Sequence, residues 1–103
     1  MKKVFISGGI TNEPNAGEKF GRAEKILRRQ GCSVVNPYAL QNAMKPTNNF
    51  THDDFMEVTL SMLSISDAIY LLKGWEHSKG AKLEYEYAVN THKEIIFEKD
   101  DEE

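Results

Sequence analysis

Lys3-Val4-Phe5-Ile6-Ser7-Gly8-Gly9 is a short β-branched and aromatic run that breaks at two glycines. It reads as a buried strand entering a tight loop, because such side chains pack on a pleated surface and glycine punctuates the pattern. Beyond Asn12-Glu13-Pro14-Asn15, the residues Phe20, Ala23, Ile26 and Leu27 recur at helical spacing, with Lys and Arg gathered towards the end and Gly31 just past it. Cys32 to Val35 is a second apolar run, closed by Asn36-Pro37 because proline cannot continue a ladder inside a sheet. Strand, amphipathic helix and strand make one βαβ unit.

The same alternation continues outward. Tyr38 to Asn49 has no clean period and contains Pro46, so it reads as a long loop of the kind that covers a site. Thr51 or His52 opens a second helix, with Asp53, Asp54 and Glu57 near its positive end and Phe55, Val58, Met62 and Ile65 expected towards the core. Ala68 to Leu72 is the most strand-like segment, Lys73 to Gly80 a loop, Ala81 to Val89 helical, and Glu94 to Phe97 a fourth strand. Short buried strands alternating with helices imply a three-layer, Rossmann-like (flavodoxin-like) α/β domain. A parallel sheet of four to five strands in the order 2-1-3-4 is expected, forming one domain over residues 1–97 with a frayed acidic tail at 98–103.

Composition narrows the classes. The chain has 103 residues, 40% of them hydrophobic and 28% charged, with one cysteine, which excludes collagen, a disulfide scaffold and wholesale disorder. No apolar run approaches the roughly 20 residues of a membrane span, and the apolar part of the first nine residues is too short for a signal peptide. The expectation is a cytoplasmic protein with no membrane partner. The net charge of −3 sits in the tail, where one lysine faces five acids, while residues 1–97 carry 12 basic groups against 11 acidic ones. Near-neutrality with dispersed lysines suits a small anionic ligand and argues against a long nucleic acid.

In parallel folds of this order, ligands bind outside the carboxyl ends of the strands, where the strand order reverses. Ser7 to Asn12 should therefore face Gly74 to Glu84. Ser7, Gly8, Gly9 and Ile10 let backbone amides approach a ligand, or form a tight turn and nothing more. The loop is neither G-x-G-x-x-G nor a P-loop. Ser78 begins the last helix as an N-cap or a ligand-binding hydroxyl, and Gly80 permits close approach. Glu84, in the second turn, either projects into the crevice as a nucleophile or is a helix residue paired with Lys79 or Lys82. Glu86 faces elsewhere. Spacing alone leaves Glu84 open.

Four segments taken together resemble one family: Phe5-Ile6-Ser7-Gly8-Gly9-Ile10, Asn36-Pro37, Ser66 to Trp75, and Ser78-x-Gly80-Ala81-x-x-Glu84. In that order and spacing they are similar to the nucleoside 2-deoxyribosyltransferase superfamily, closest to its small branch common in phages and prophages, over nearly the whole chain up to Phe97. The resemblance implies cleavage of the N-glycosidic bond of a nucleoside or nucleotide, in the cytoplasm of a bacterial or phage-infected cell. It makes Glu84 the residue that attacks the anomeric carbon, leaving a glycosyl-enzyme that passes its sugar to another base or to water. Ser78 and the amides around Gly80 would hold the sugar or its 5′-phosphate, and Ser7 to Ile10 the sugar or base edge. Capture of a nucleotide-like or ADP-ribose-like ligand without turnover is the alternative.

This chain departs from the family in three places. Active members have an aspartate eight residues before the Asp of the Asp-Ala pair, a position that is Thr59 here. A threonine cannot act as a general acid at neutral pH, so either another acid substitutes or the site binds without fast catalysis. The family's first-strand tyrosine is Phe5, and the C-terminal segment that serves a neighbouring subunit is replaced by acid. Asp53 and Asp54 cap the helix or contact ligand. Trp75 either stacks on a base or sugar, or caps the core or a subunit contact. His77 and His92 form no metal-ligand pattern, so neither metal nor cofactor is expected. Cys32, Met44, Met56 and Met62 read as filler, Asp67 as a helix-to-strand turn, and small sheets of this kind pair as homodimers or higher homo-oligomers.

Overall fold

The computed structural model describes residues 1–11 and 13–99; the Asn12 end of the first loop and residues 100–103 of the acidic tail lie outside the described residues. Strand β1 (Lys3–Ser7) leads into helix α1 (Ala16–Arg29), strand β2 (Ser33–Val35), and a short helix α2 (Leu40–Ala43) flanked by 3-10 turns at Pro37–Ala39 and Pro46–Asn48. Helix α3 (His52–Ser64), strand β3 (Ala68–Leu71), a 3-10 turn at Trp75–His77, helix α4 (Lys79–Asn90) and strand β4 (Glu94–Phe97) complete the chain. All four strands are parallel, in the order β2-β1-β3-β4, with Phe5 opposite Val35 and Ile69, and Leu71 opposite Phe97.

Strand alternation divides the core in two. Val4 and Ile6 of β1, with Ala68, Tyr70 and Leu72, pack against Phe20, Ala23 and Leu27 of α1. Phe5, Ile69 and Leu71 point to the opposite face and meet Leu63 of α3 and Ala88 of α4. Ser7 shares the Phe5 face, so the last residue of β1 is aimed at α4 and not at α1. Gly31, at φ +84°, stops α1 where a side chain would be strained. Asn36 performs two tasks after β2: its carbonyl oxygen accepts from Tyr38 N–H at 3.0 Å, and its amide donates to Glu24 of α1 at 2.9 Å. The Glu24 carboxyl is held below the usual carboxylate range chiefly by that amide bond.

Two expectations are corrected. The 38–49 segment is not a structureless loop but is braced by two 3-10 turns and one four-residue helix. The inner face of α3 is Met56, Thr59 and Leu63, whereas Ile65 is 64% exposed and Phe55 and Val58 are half-buried; Met62, half-buried too, packs against the core as expected. Periodicity placed the stripe one residue off because α3 packs against α4 as well as the sheet; Thr59 is buried there because its hydroxyl donates to the Met56 carbonyl at 3.3 Å. Just past β4, Glu98 N–H donates to the Leu71 carbonyl at 2.9 Å, and its carboxylate accepts from Lys73 N–H at 2.8 Å. Asp67 ties the opposite end of the sheet, accepting from Lys3 N–H at 2.8 Å.

Candidate active site

The loops after β1 and β3 meet at the carboxyl ends of the strands, and the 37–51 segment closes over them. Between them lies a cleft of about 780 Å³, lined by Gly8, Gly9 and Ile10 on one side and by Gly74, His77, Ser78, Lys79, Gly80 and Glu84 on another. The covering wall consists of Gln41, Met44, Lys45, Phe50 and Thr51, continued by His52, Phe55 and Met56 of α3. A volume of this size falls in the range of small-molecule sites.

Glu84 stands at the inner end. It shares the buried face of α4 with Ala81 and Ala88, and is itself only 6% exposed. Ser7 Oγ donates to its Oε1 at 2.6 Å, across the step from β1 to α4. Loss of water pushes the Glu84 carboxyl up to about 7, against the opposing pull of the Ser7 hydroxyl and, less strongly, the Thr59 hydroxyl, both of which favour the charged form. A lysine partner is therefore not what accounts for Glu84. The Ser7 hydroxyl orients the carboxyl without supplying charge.

Two glycines of the site have a packing reason and a third a conformational one. A methyl group on Gly8 would stand 2.8 Å from Leu72 Cδ1, so only glycine lets the first loop lie on the end of β3. One on Gly80 would stand 3.2 Å from Met56 Sδ and 3.6 Å from His52 Nε2, so the start of α3 is drawn against the start of α4. Gly74 takes φ +85° to turn the chain out of β3. Ser78 caps α4 by accepting from Ala81 N–H at 3.1 Å, and the first intrahelical bond runs from Lys82 N–H to the Ser78 carbonyl at 3.0 Å. Lys79 and Gly80, whose amides precede that bond, both line the cleft.

Of the residues singled out from sequence, Gly8, Gly9, Ile10, Ser78, Gly80 and Glu84 line one cleft. Ser7 is buried behind the wall as the partner of Glu84. Trp75 does not line it: the indole packs 4.7 Å from Tyr85 and 6.3 Å from Phe97, ring centre to ring centre, over the β4 side of the sheet. Phe5 is fully buried in the core beneath α3 and α4. Asp54 completes a capping box with Thr51, at 2.9 and 3.0 Å, and Asp53 lies on a separate shallow groove on α3. Cys32 packs at the edge of the α1 core with a free thiol.

Sequence reasoning missed the covering residues Lys45, Phe50, His52, Phe55 and Met56. The signal for His52 lay in its position seven residues before Thr59, which places both on one side of a helix. Among the described residues, no helix is long and apolar enough to cross a membrane. No curated protein matches the chain. A family model described as a domain of unknown function (DUF4406) matches residues 2–97, and the chain belongs to that family.

Proposed function

We propose that this member of the DUF4406 family breaks or exchanges the N-glycosidic bond of a nucleoside or nucleotide, with Glu84 as nucleophile, working in the cytoplasm. The observation that carries this reading is the Glu84 carboxyl: buried, bonded to Ser7 at 2.6 Å, and set in the wall of the cleft at the carboxyl ends of the strands. A carboxylate so placed attacks the anomeric carbon as the base departs, splitting one difficult displacement into two easier ones. Water or a second base then attacks the same carbon and frees the carboxylate. The likeness of Ser78-x-Gly80-Ala81-x-x-Glu84 to the nucleoside 2-deoxyribosyltransferases supports the same assignment.

The test is release of free base from a panel of 2′-deoxynucleosides, ribonucleosides and their 5′-monophosphates. Base release by the wild type and its loss by at least about 100-fold in Glu84→Gln are expected. No release from any member of the panel, or undiminished release by the variant, would sink the reading.

A second reading is favoured by Thr59, an uncharged residue beside the Glu84 carboxyl where the resembled family has an acid. On this reading the cleft captures a nucleotide-like or ADP-ribose-like ligand without cutting it. Calorimetric binding together with intact ligand recovered after denaturation would decide for capture.

A further inference from the structure

Base departure needs a proton as well as a nucleophile. The electron pair of the broken glycosidic bond goes to a ring nitrogen, and an acid within reach of that nitrogen lowers the barrier. Glu84 cannot supply the proton while it attacks as a carboxylate, and Thr59 has none to give at neutral pH.

Helix α3 nevertheless carries a titratable group to the cleft two turns earlier. His52, Met56, Thr59 and Leu63 follow the spacing of one helical face; the last three are buried and His52 emerges at the cleft. Opposite them, Gly80 and Glu84 are one turn apart on α4. The two rows run side by side, since Gly80 lies against Met56 and His52, and Glu84 against Thr59. His52 Nε2 comes to 3.6 Å from where a Gly80 side chain would begin, ordinary van der Waals distance, which places the imidazole beside the start of α4. Helical side chains lean towards the N-terminus, so the Glu84 carboxyl reaches back towards the turn that the imidazole overhangs. The other cleft histidine, His77, sits on the β3 loop with no such registration against Glu84.

We propose that His52 is the general acid of this site, donating the Nε2 proton to the departing base while Glu84 forms its bond to the anomeric carbon. The inference rests on the glycosidic reading above. In the first step the C–N bond breaks, the C–O bond to Glu84 forms, and His52 is left neutral. In the second, neutral His52 takes a proton from the attacking water, or from the incoming base, as the C–O bond to Glu84 breaks, and both groups return to their starting states. Charged or titratable groups around the imidazole are Asp53 and Asp54 on its own helix, Lys79 and Glu84 on α4, and Lys45, His77 and Glu13 from the surrounding loops.

The experiment uses 2′-deoxyguanosine, 2′-deoxyadenosine, their 5′-monophosphates and the 7-methyl derivative of each. A 7-methylpurine already carries the positive charge that protonation would confer, so it leaves as a neutral base without an acid. His52→Gln and His52→Asn are expected to release unmethylated base about 100-fold more slowly or worse, and methylated base within a few-fold of wild type. Activity on the methylated substrates also reports that the variants are folded. Equal loss on both substrate classes, or no loss on either, overturns the assignment to His52 while leaving Glu84 as nucleophile. No release by the wild type overturns both.

Discussion

Glu84 is more useful to the site than to the fold, and its ionisation lets that be measured. The folded chain holds the Glu84 proton up to about pH 7, whereas the ordinary glutamate value is 4.5. Between these two pH values the native state binds more protons than the unfolded one, so stability falls as pH rises through that window and levels off above it. The full loss is roughly 3 kcal/mol. Glu84→Gln keeps an acceptor for Ser7 but has no charge to bury. It should match wild type near pH 5 and exceed it by roughly 2–3 kcal/mol at pH 8 in urea unfolding; parallel pH dependences for the two proteins would contradict a buried carboxyl. Catalysis runs the other way, because attack requires the carboxylate, and kcat/KM should rise through about pH 7. Ser7→Ala removes a bond to the charged form and should move that limb about one unit higher, read from the pH–rate profile. An unmoved limb would mean that the 2.6 Å bond does not tune Glu84.

At the scale of elements, close approach decides where the cleft walls stand. Gly8 lies on Leu72, which is 2% exposed and fixed in the α1-side core, so a new methyl group 2.8 Å from its Cδ1 has little room to displace it. Gly8→Ala is expected to cost about 1–3 kcal/mol in denaturant unfolding, and a variant as stable as wild type would show that the loop relaxes. Elements of this kind were unevenly legible. The strand runs and the Gly31 stop follow from local composition, and the order 2-1-3-4 from alternation, because each rests on neighbours in the chain. The inner face of α3 was misread because a buried threonine is polar to a periodicity argument, and only the fold reveals the Met56 carbonyl that accepts its proton and the Glu84 carboxyl beside it. The short helices of 37–48 were missed for want of any period. Ser7 and Glu84 could each be named, but a bond spanning 77 positions is a tertiary fact. Trp75 had two plausible neighbours, and only the folded chain shows it against Tyr85.

Over the whole molecule, a nearly neutral domain sets two of its lysines and two of its three histidines at one cleft. Lys45, Lys79, His52 and His77 come from four separate stretches of chain to line the cleft. Of the acids there, Glu13 is tied to Lys19 at 2.7 Å and Glu84 is buried, so the mouth of the cleft favours an anion although the whole chain has a net charge of −3. Under the proposed function this asymmetry belongs to substrate choice. A nucleoside 5′-monophosphate should bind more tightly than its nucleoside, and the difference should shrink as salt is raised, since exposed charges are screened within about 8 Å at physiological ionic strength. Lys79→Ala tests whether α4 supplies the charge. It should weaken the monophosphate about tenfold, or about 1.4 kcal/mol, while leaving nucleoside affinity almost unchanged in calorimetry. Equal weakening of both ligands would show that Lys79 shapes the cleft and does not read the phosphate, and the anion preference would then have to come from the covering segment and Lys45.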